Sequence, residues 1–298
     1  MSNTPPVCDY EGSDYRARFW ENQGRDYEDQ VERIALRRLM PANGTTLIEI
    51  GAGFGRLADE YVGYDKVVLF DYSRSLLREA QAHLGDDPRF IYVAGNWYNM
   101  PFVAGLFDTM TQIRTLHHAA DAPALFRELA RIAQPGGNYV LEFANKLNLK
   151  AILRYWAKRQ MWSPFDREPV EFVELNFDFH PRWIRQQLQA AGFTPGRTLA
   201  ASYFRLGWLK RTIPTKLLVG LDSLMQWTGQ GIQLSPSVFV HNAHPAEGET
   251  AVPYTFFACP HCQTGLGAVV DGRLQCPNSA CNRQYRVENN LYDFKEPI

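Results

Sequence analysis

Residues 47 to 57 read L-I-E-I-G-A-G-F-G-R-L. An apolar run that stops in three glycines spaced two apart constrains the fold more than any other stretch. It predicts a buried strand, then a turn whose backbone can pass close to a ligand, then the N-H groups of a helix start. The spacing Gly51-x-Gly53-x-Gly55 is too compressed for the dinucleotide fingerprint G-x-G-x-x-G, and the G-K-[ST] of a phosphate-binding P-loop is absent.

The surrounding sequence repeats the strand and helix theme. Apolar residues Tyr27, Val31, Ile34, Ala35 and Leu39 recur at helical spacing before Pro41, which predicts a helix over 25–40. Strands are expected at 46–50, 67–70, 90–94, 108–113 and 138–143, with helices at 55–62, 74–84 and 122–133. Short β-branched or aromatic runs between amphipathic helices imply βαβ units, hence an α/β fold with a doubly wound, mostly parallel sheet. Beyond Phe143 a basic, aromatic stretch runs to about Asp178. A helix at 181–191, a strand at 197–204 and helical spacing near 212–227 follow. Residues 241–253, H-N-A-H-P-A-E-G-E-T-A-V-P, are poor in core formers and read as a linker. The expected division is a domain over 1–240 with an insert at 146–216, the linker, and a small domain over 254–298.

In this order the motifs resemble class I S-adenosylmethionine-dependent methyltransferases of the type 11 group, over roughly residues 25–205. I-E-I-G-A-G-F-G resembles that family's first motif, implying that Gly51, Gly53 and Gly55 line the methionine and ribose, with Glu49 beneath the amino-acid end. Asp71 closes V-V-L-F-D-Y-S twenty-two residues after Glu49, where a carboxylate accepts both ribose hydroxyls. A-G-N-W-Y-N-M-P-F resembles the adenine-binding segment: Asn96 replaces the usual Asp and its oxygen still suits the adenine amino group, while Trp97 is placed to stack on the base. The resemblance also sets Tyr72 and Arg114 at the cofactor. The stretches L-F-D-T-M-T-Q-I-R-T-L-H-H and P-G-G-N-Y-V-L-E-F resemble the fourth and fifth strands with their turns. Each residue has a plainer alternative: a tight turn for the glycines, a helix cap for Asp71, core packing for Trp97.

Methyl transfer from a sulfonium is an in-line displacement that rests on positioning and desolvation. Where the acceptor is a hydroxyl or an acidic carbon, a base helps, and the exit of strand four supplies His118 and His117 beside Thr115. The [DN]-P-P-[YFW] loop of amino-group methylases is absent, which argues against exocyclic amino acceptors. Tyr10, Tyr15, Phe19 and Trp20 are expected to form an N-terminal lid. Residues 146–216 hold thirteen Lys or Arg against five Asp or Glu, in a chain whose formal net charge is -1. With aromatics interleaved, that insert suits an anionic aromatic or lipid-like acceptor, or RNA; a solvated basic face over an apolar core is the alternative.

The tail carries C-P-H-C, thirteen residues, then C-P-N-S-A-C, so Cys259, Cys262, Cys276 and Cys281 form two knuckles suited to a structural Zn2+ in a fragment too small for its own core. His261 is a competing ligand. Cys276 to Phe294 resembles the zinc ribbon of the small activator protein of tRNA and translation-factor methyltransferases, which implies a stabilising or recognition role, including a protein partner.

The chain opens without a basic, apolar leader, and no stretch supplies about 18 uncharged apolar residues, so neither a membrane span nor export is expected and the location reads as cytoplasmic. The leading expectation is a methyltransferase for a small, aromatic or lipid-like acceptor. The others are an rRNA or tRNA methyltransferase, and a non-catalytic cofactor-binding regulator or partner subunit.

Overall fold

The computed structural model describes residues 4–20, 23–252 and 255–298, without the side chains of residues 17 and 19. The elements run α1 (Tyr15–Phe19), α2 (Asp26–Leu39), β1 (Gly44–Ile50), β2 (Tyr64–Asp71), α3 (Arg74–Leu84), β3 (Phe90–Ala94), β4 (Phe107–Gln112), α4 (Ala122–Ile132) and β5 (Ala133–Ala144). They continue with α5 (Leu149–Trp156), β6 (Val170–Val173), β7 (Asn176–Asp178), α6 (Pro181–Ala190), β8 (Thr194–Ala201), α7 (Gly207–Thr212), α8 (Thr215–Met225) and β9 (Ser237–Ala243). Three short strands close the chain: β10 (Arg273–Gln275), β11 (Gln284–Glu288) and β12 (Leu291–Asp293).

One ten-stranded sheet has the order β10-β11-β12-β3-β2-β1-β4-β5-β9-β8. Strands β3 to β5 pair in parallel around β1, while β9 runs antiparallel to both β5 and β8. The doubly wound α/β expectation is therefore met. Central strands read as unbroken apolar runs because both of their faces are covered: Leu47, Ile48, Ile50, Val67, Val68 and Leu69 are fully buried. Helix α3 keeps its expected limits because Ser73 accepts from the Leu76 amide and Gly85, at φ +67°, ends it.

Two expectations need correction. The helix expected at 55–62 is a 3-10 turn over Ala58–Glu60. Gly53 and Gly55 hold φ of +55° and +76°, so helical backbone cannot begin before Arg56, and β2 begins at Tyr64. Residues 241–243, assigned to the linker, complete β9, because the strand that fills the gap between β5 and β8 needs the length of His241–Ala243 to pair Asn138 and Thr194.

The C-terminal segment does not stand apart. Strand β12 adds to the free edge of β3 in parallel, pairing Leu291 with Tyr92 and Asp293 with Ala94. Phe257 stacks on Phe102 of the main core with centroids 5.9 Å apart and meets Tyr292 at 4.6 Å. No helix among the described residues is long and apolar enough to cross a membrane. If the tail and the sheet share one core, Phe257→Ala lowers the stability of the whole chain by about 3–5 kcal/mol. A single urea transition moving to lower denaturant would report it; an unchanged main transition beside a separate early one would count against the shared core.

Candidate functional site

The glycine turn after β1 and the end of β2 meet at the carboxyl edge of the sheet. Asp71 Oδ2 accepts from the Gly53 amide at 2.7 Å and Oδ1 from the Ser73 amide at 2.9 Å. Burial raises the Asp71 carboxyl above its ordinary value, and those amide bonds oppose the rise. The carboxylate thus ties the turn to the residue that caps α3, Ser73, while lining the cleft.

A partly open cleft of about 800 Å³, counting the solvent at its opening, lies against this junction; Glu49, Gly51, Gly53, Asp71, Tyr72, Trp97, Arg114 and His118 all line it. The three glycines divide by role. A Cβ on Gly53 would meet nothing within 4 Å and would project into open space. One on Gly51 would come 2.3 Å from Thr115 Cγ2, and one on Gly55 would press on Ala80, Leu84 and Leu69. Gly55 is therefore a packing residue away from the cleft, which corrects its expected place beside the ligand. Asn96 also leaves the lining: its Oδ1 accepts from the Tyr98 amide at 2.9 Å, which shapes the turn that presents Trp97.

Two buried polar atoms of the lining have no hydrogen-bond partner among the described residues, Glu49 Oε2 and Trp97 Nε1. Burial drives Glu49 up to about 8 against the attraction of Arg56, so it is largely a neutral acid near pH 7. A cleft with a glycine floor that lets a ligand approach the backbone, a carboxyl at one end and an unsatisfied indole N-H fits a polar, cationic adenosyl ligand.

At the mouth, His118 Nδ1 lies 2.9 Å from the Leu175 carbonyl and Nε2 lies 3.1 Å from the Tyr10 hydroxyl. A carbonyl only accepts, so Nδ1 carries the proton, Nε2 is bare, and Tyr10 donates to it. Burial lowers His118 below its ordinary 6.5, against the pull of the Leu175 carbonyl. His117 packs with its ring centroid 4.0 Å from His118 but does not line the cleft, and burial lowers it further. Of the two expected histidines, only His118 faces the space a substrate would enter.

The N-terminal segment covers the cleft as expected: Val7, Cys8, Tyr10, Tyr15 and Trp20 line it, while the Phe19 side chain lies outside the described residues. Glu11 fastens this arm by accepting from the Arg74 and Ser75 amides at the start of α3. Behind the cleft sits a group that spacing did not reveal. Buried Glu32 of α2 joins Arg114 at 2.8 Å and Arg56 at 3.0 Å. Burial would raise the Glu32 carboxyl, but the guanidinium groups of Arg114, Arg56 and Arg205 outweigh it and hold it below its ordinary value. Arg114, with a left-handed φ of 60°, also donates its amide to Glu142 at 2.8 Å. Arg56 follows Gly55 directly, yet its pairing with a helix 24 residues earlier has no local signal.

In the tail, the Sγ atoms of Cys259, Cys262, Cys276 and Cys281 all lie within 4.8 Å of one another, and the group could hold a metal ion. His261 is exposed and outside it.

Glu49 gives the site a pH signature. An acid whose folded pKa is raised contributes stability in full below its ordinary range, and that contribution is lost as pH rises through about 8. Without ligand, urea midpoints are expected to fall between roughly pH 4.5 and 8 in the wild type and to stay flatter in Glu49→Gln; parallel profiles for both proteins would contradict the assignment.

Residues 48–141 match the family model of a methyltransferase domain. The malonyl-[acyl-carrier protein] O-methyltransferase of Erwinia pyrifoliae is 24% identical over 147 residues, 49% of this chain and 55% of that protein. The demethylmenaquinone methyltransferase of Corynebacterium kroppenstedtii is 30% identical over 141 residues, 43% of this chain and 59% of that protein. That of Roseiflexus is 26% identical over 210 residues, 69% of this chain and 83% of that protein. The chain spans about half the length of the first two. Among solved structures, one from the complex between the Haloferax volcanii Trm112 methyltransferase activator and a methyltransferase has TM-score 0.53 at 16% identity, covering 81% of this chain and all of that one. An S-adenosylmethionine-dependent methyltransferase of Mesorhizobium loti has TM-score 0.51 at 18% identity, covering 73% of this chain and all of that one. At such identities these two bear on the fold, and they agree with the Rossmann-like arrangement described above.

Proposed function

We propose that this chain is an S-adenosylmethionine-dependent methyltransferase acting on a small, aromatic or lipid-like acceptor, with a structural Zn2+ in its C-terminal segment. The observation that carries the reading is the junction at Asp71, where carboxylate, glycine turn and open cleft meet, within the stretch that matches a methyltransferase domain. The relatives named for malonyl-[acyl-carrier protein] and for demethylmenaquinone support a lipid-like acceptor.

When bound, S-adenosylmethionine supplies a methyl group on a cationic sulfur that departs as a neutral thioether. The residues of the chain do the rest. Gly53 would leave room for the sugar, Asp71 would accept from its hydroxyls, Trp97 would stack on the base, and Tyr72 and Arg114 would complete the walls. Glu49 meets the amino-acid end, where a cationic ammonium favours its ionised form and so releases a proton on binding. His118 takes the acceptor proton on Nε2 as the oxygen attacks, with Nδ1 anchored on Leu175 so that the ring cannot turn. Tyr10 marks the direction of this step, since its phenol donates a hydrogen bond to that nitrogen.

The cysteine cluster favours zinc by its chemistry. Sulfurs 3.7 Å (Cys259 and Cys281) and 3.5 Å (Cys262 and Cys276) apart sit near the ~3.8 Å edge of a tetrahedron with Zn–S of about 2.3 Å. Arg283 and Tyr285 stand 3.4 and 3.2 Å from Cys281 and Cys259, as donors that stabilise thiolates.

Calorimetry with S-adenosylmethionine tests the central claim: Asp71→Ala weakens binding by roughly tenfold or more, the scale of a lost charge-assisted hydrogen bond. Equal affinity in both proteins would remove the ribose role. The base is tested by rate against pH. The wild-type rate declines only on the acid side, with an apparent pKa below 6.5, and His118→Asn abolishes that limb and slows turnover by about 10²-fold or more. A variant that keeps both rate and limb would assign the proton transfer elsewhere.

A further inference from the structure

Residues 149–165 contain four cations, Lys150, Arg154, Lys158 and Arg159, and no acidic residue. All four are exposed, and among the described residues none pairs with a carboxylate or hydrogen-bonds through its side chain. The contrast with Arg33, Arg56 and Arg114, each held by carboxylates, shows that the fold does not use these charges.

The same segment displays apolar side chains outward. In α5, Ala151 and Ile152 are buried, whereas Leu149, Leu153 and Trp156 at i, i+4 and i+7 form a separate exposed stripe, with Trp156 67% exposed. Lys150 and Arg154, one step behind, form a cationic stripe beside it. Past the helix, Met161 is 99% exposed and Phe165 is exposed while touching Tyr155 at 6.1 Å between ring centroids.

This display is built rather than frayed. Asn148 caps α5 through the Ala151 amide at 2.9 Å, and Asn145 anchors the approach through the Gln233 and Ser235 carbonyls at 2.7 Å each. Holding a tryptophan, a methionine and two leucines in water costs free energy unless something dehydrates them.

We infer that α5 and the following turn to Phe165 form a peripheral membrane-binding surface, with Trp156, Leu153 and Met161 entering the interface and the four cations meeting anionic lipid headgroups. Charge complementarity selects the occupant: a cationic border on an apolar stripe suits an anionic leaflet. A nucleic-acid backbone satisfies the cations but leaves Leu149, Leu153 and Met161 wet. The position has a use as well. The segment leaves the carboxyl end of β5 and leads into the β6–β7 hairpin, whose Leu175 carbonyl holds His118. A lipid-borne acceptor would therefore be taken up beside the catalytic cleft; that use rests on the methyltransferase reading, whereas the surface itself does not.

Co-sedimentation of the full chain with vesicles of phosphatidylcholine, alone or mixed with phosphatidylglycerol, tests it. Binding is expected to the mixed vesicles, to weaken as salt rises, and to be slight on phosphatidylcholine alone. Each cation near an anionic leaflet contributes about fivefold in partitioning, so Lys158→Glu with Arg159→Glu lowers binding by more than about tenfold. Trp156→Ala lowers it by roughly tenfold through lost apolar burial. Both variants keep the wild-type affinity for S-adenosylmethionine in calorimetry, which reports on the cleft separately. Absence of vesicle binding at low salt overturns the inference, and so does retention of RNA by a protein that ignores vesicles.

Discussion

A single half-buried carboxylate organises the site. Asp71 spans from the amide of Gly53 to that of Ser73, so the turn leaving β1 and the helix leaving β2 cannot move independently. A buried carboxyl is expensive unless each oxygen finds donors, and here the backbone supplies them in fixed positions. The cleft therefore exists because two neighbouring parallel strands end at the same height, and Asp71 joins their ends.

Around that junction the chain closes the cleft from three directions using electrostatics and aromatic packing. Glu32 on α2 draws Arg114 and Arg56 inward, and Trp20 lies over Arg56 at 4.0 Å. The N-terminal arm is fastened by Glu11 to the start of α3. The tail adds Lys295, which reaches Asp9 at 3.3 Å and lies over the Tyr72 ring at 3.9 Å. The C-terminal segment thus contributes more than an extra strand: it supports a wall of the cleft and the arm covering it. Removing one partner of Glu32 would leave an uncompensated buried charge, so these pairs hold α2 over the site even though each alone adds little net stability.

Much of this was legible in the residues. Strand 90–94 and helix 74–84 have the limits expected of them, since β-branched runs and a Ser73 cap with a Gly85 stop act locally. Glu49, Gly51, Gly53, Asp71, Tyr72, Trp97, Arg114 and His118 do gather at one cleft. Gly55, Asn96 and His117 do not, for a shared reason: motif spacing identifies the turn, but only packing decides which side of it each residue faces. The strand β9 escaped notice because H-N-A looks like a linker until its partners on β5 and β8 are known.

The sequence by itself determined the alternation of strands and helices, the glycine turn with its distant carboxylate, and the four cysteines on two knuckles, because each is encoded by periodicity, backbone freedom or ligand type within short reach. Only the tertiary structure decided that His118 rather than His117 faces the cleft, that Glu32 gathers three arginines, and that β12 joins β3. Those outcomes depend on contacts between residues from 24 to some 200 positions apart, where no local preference acts and burial selects the partner.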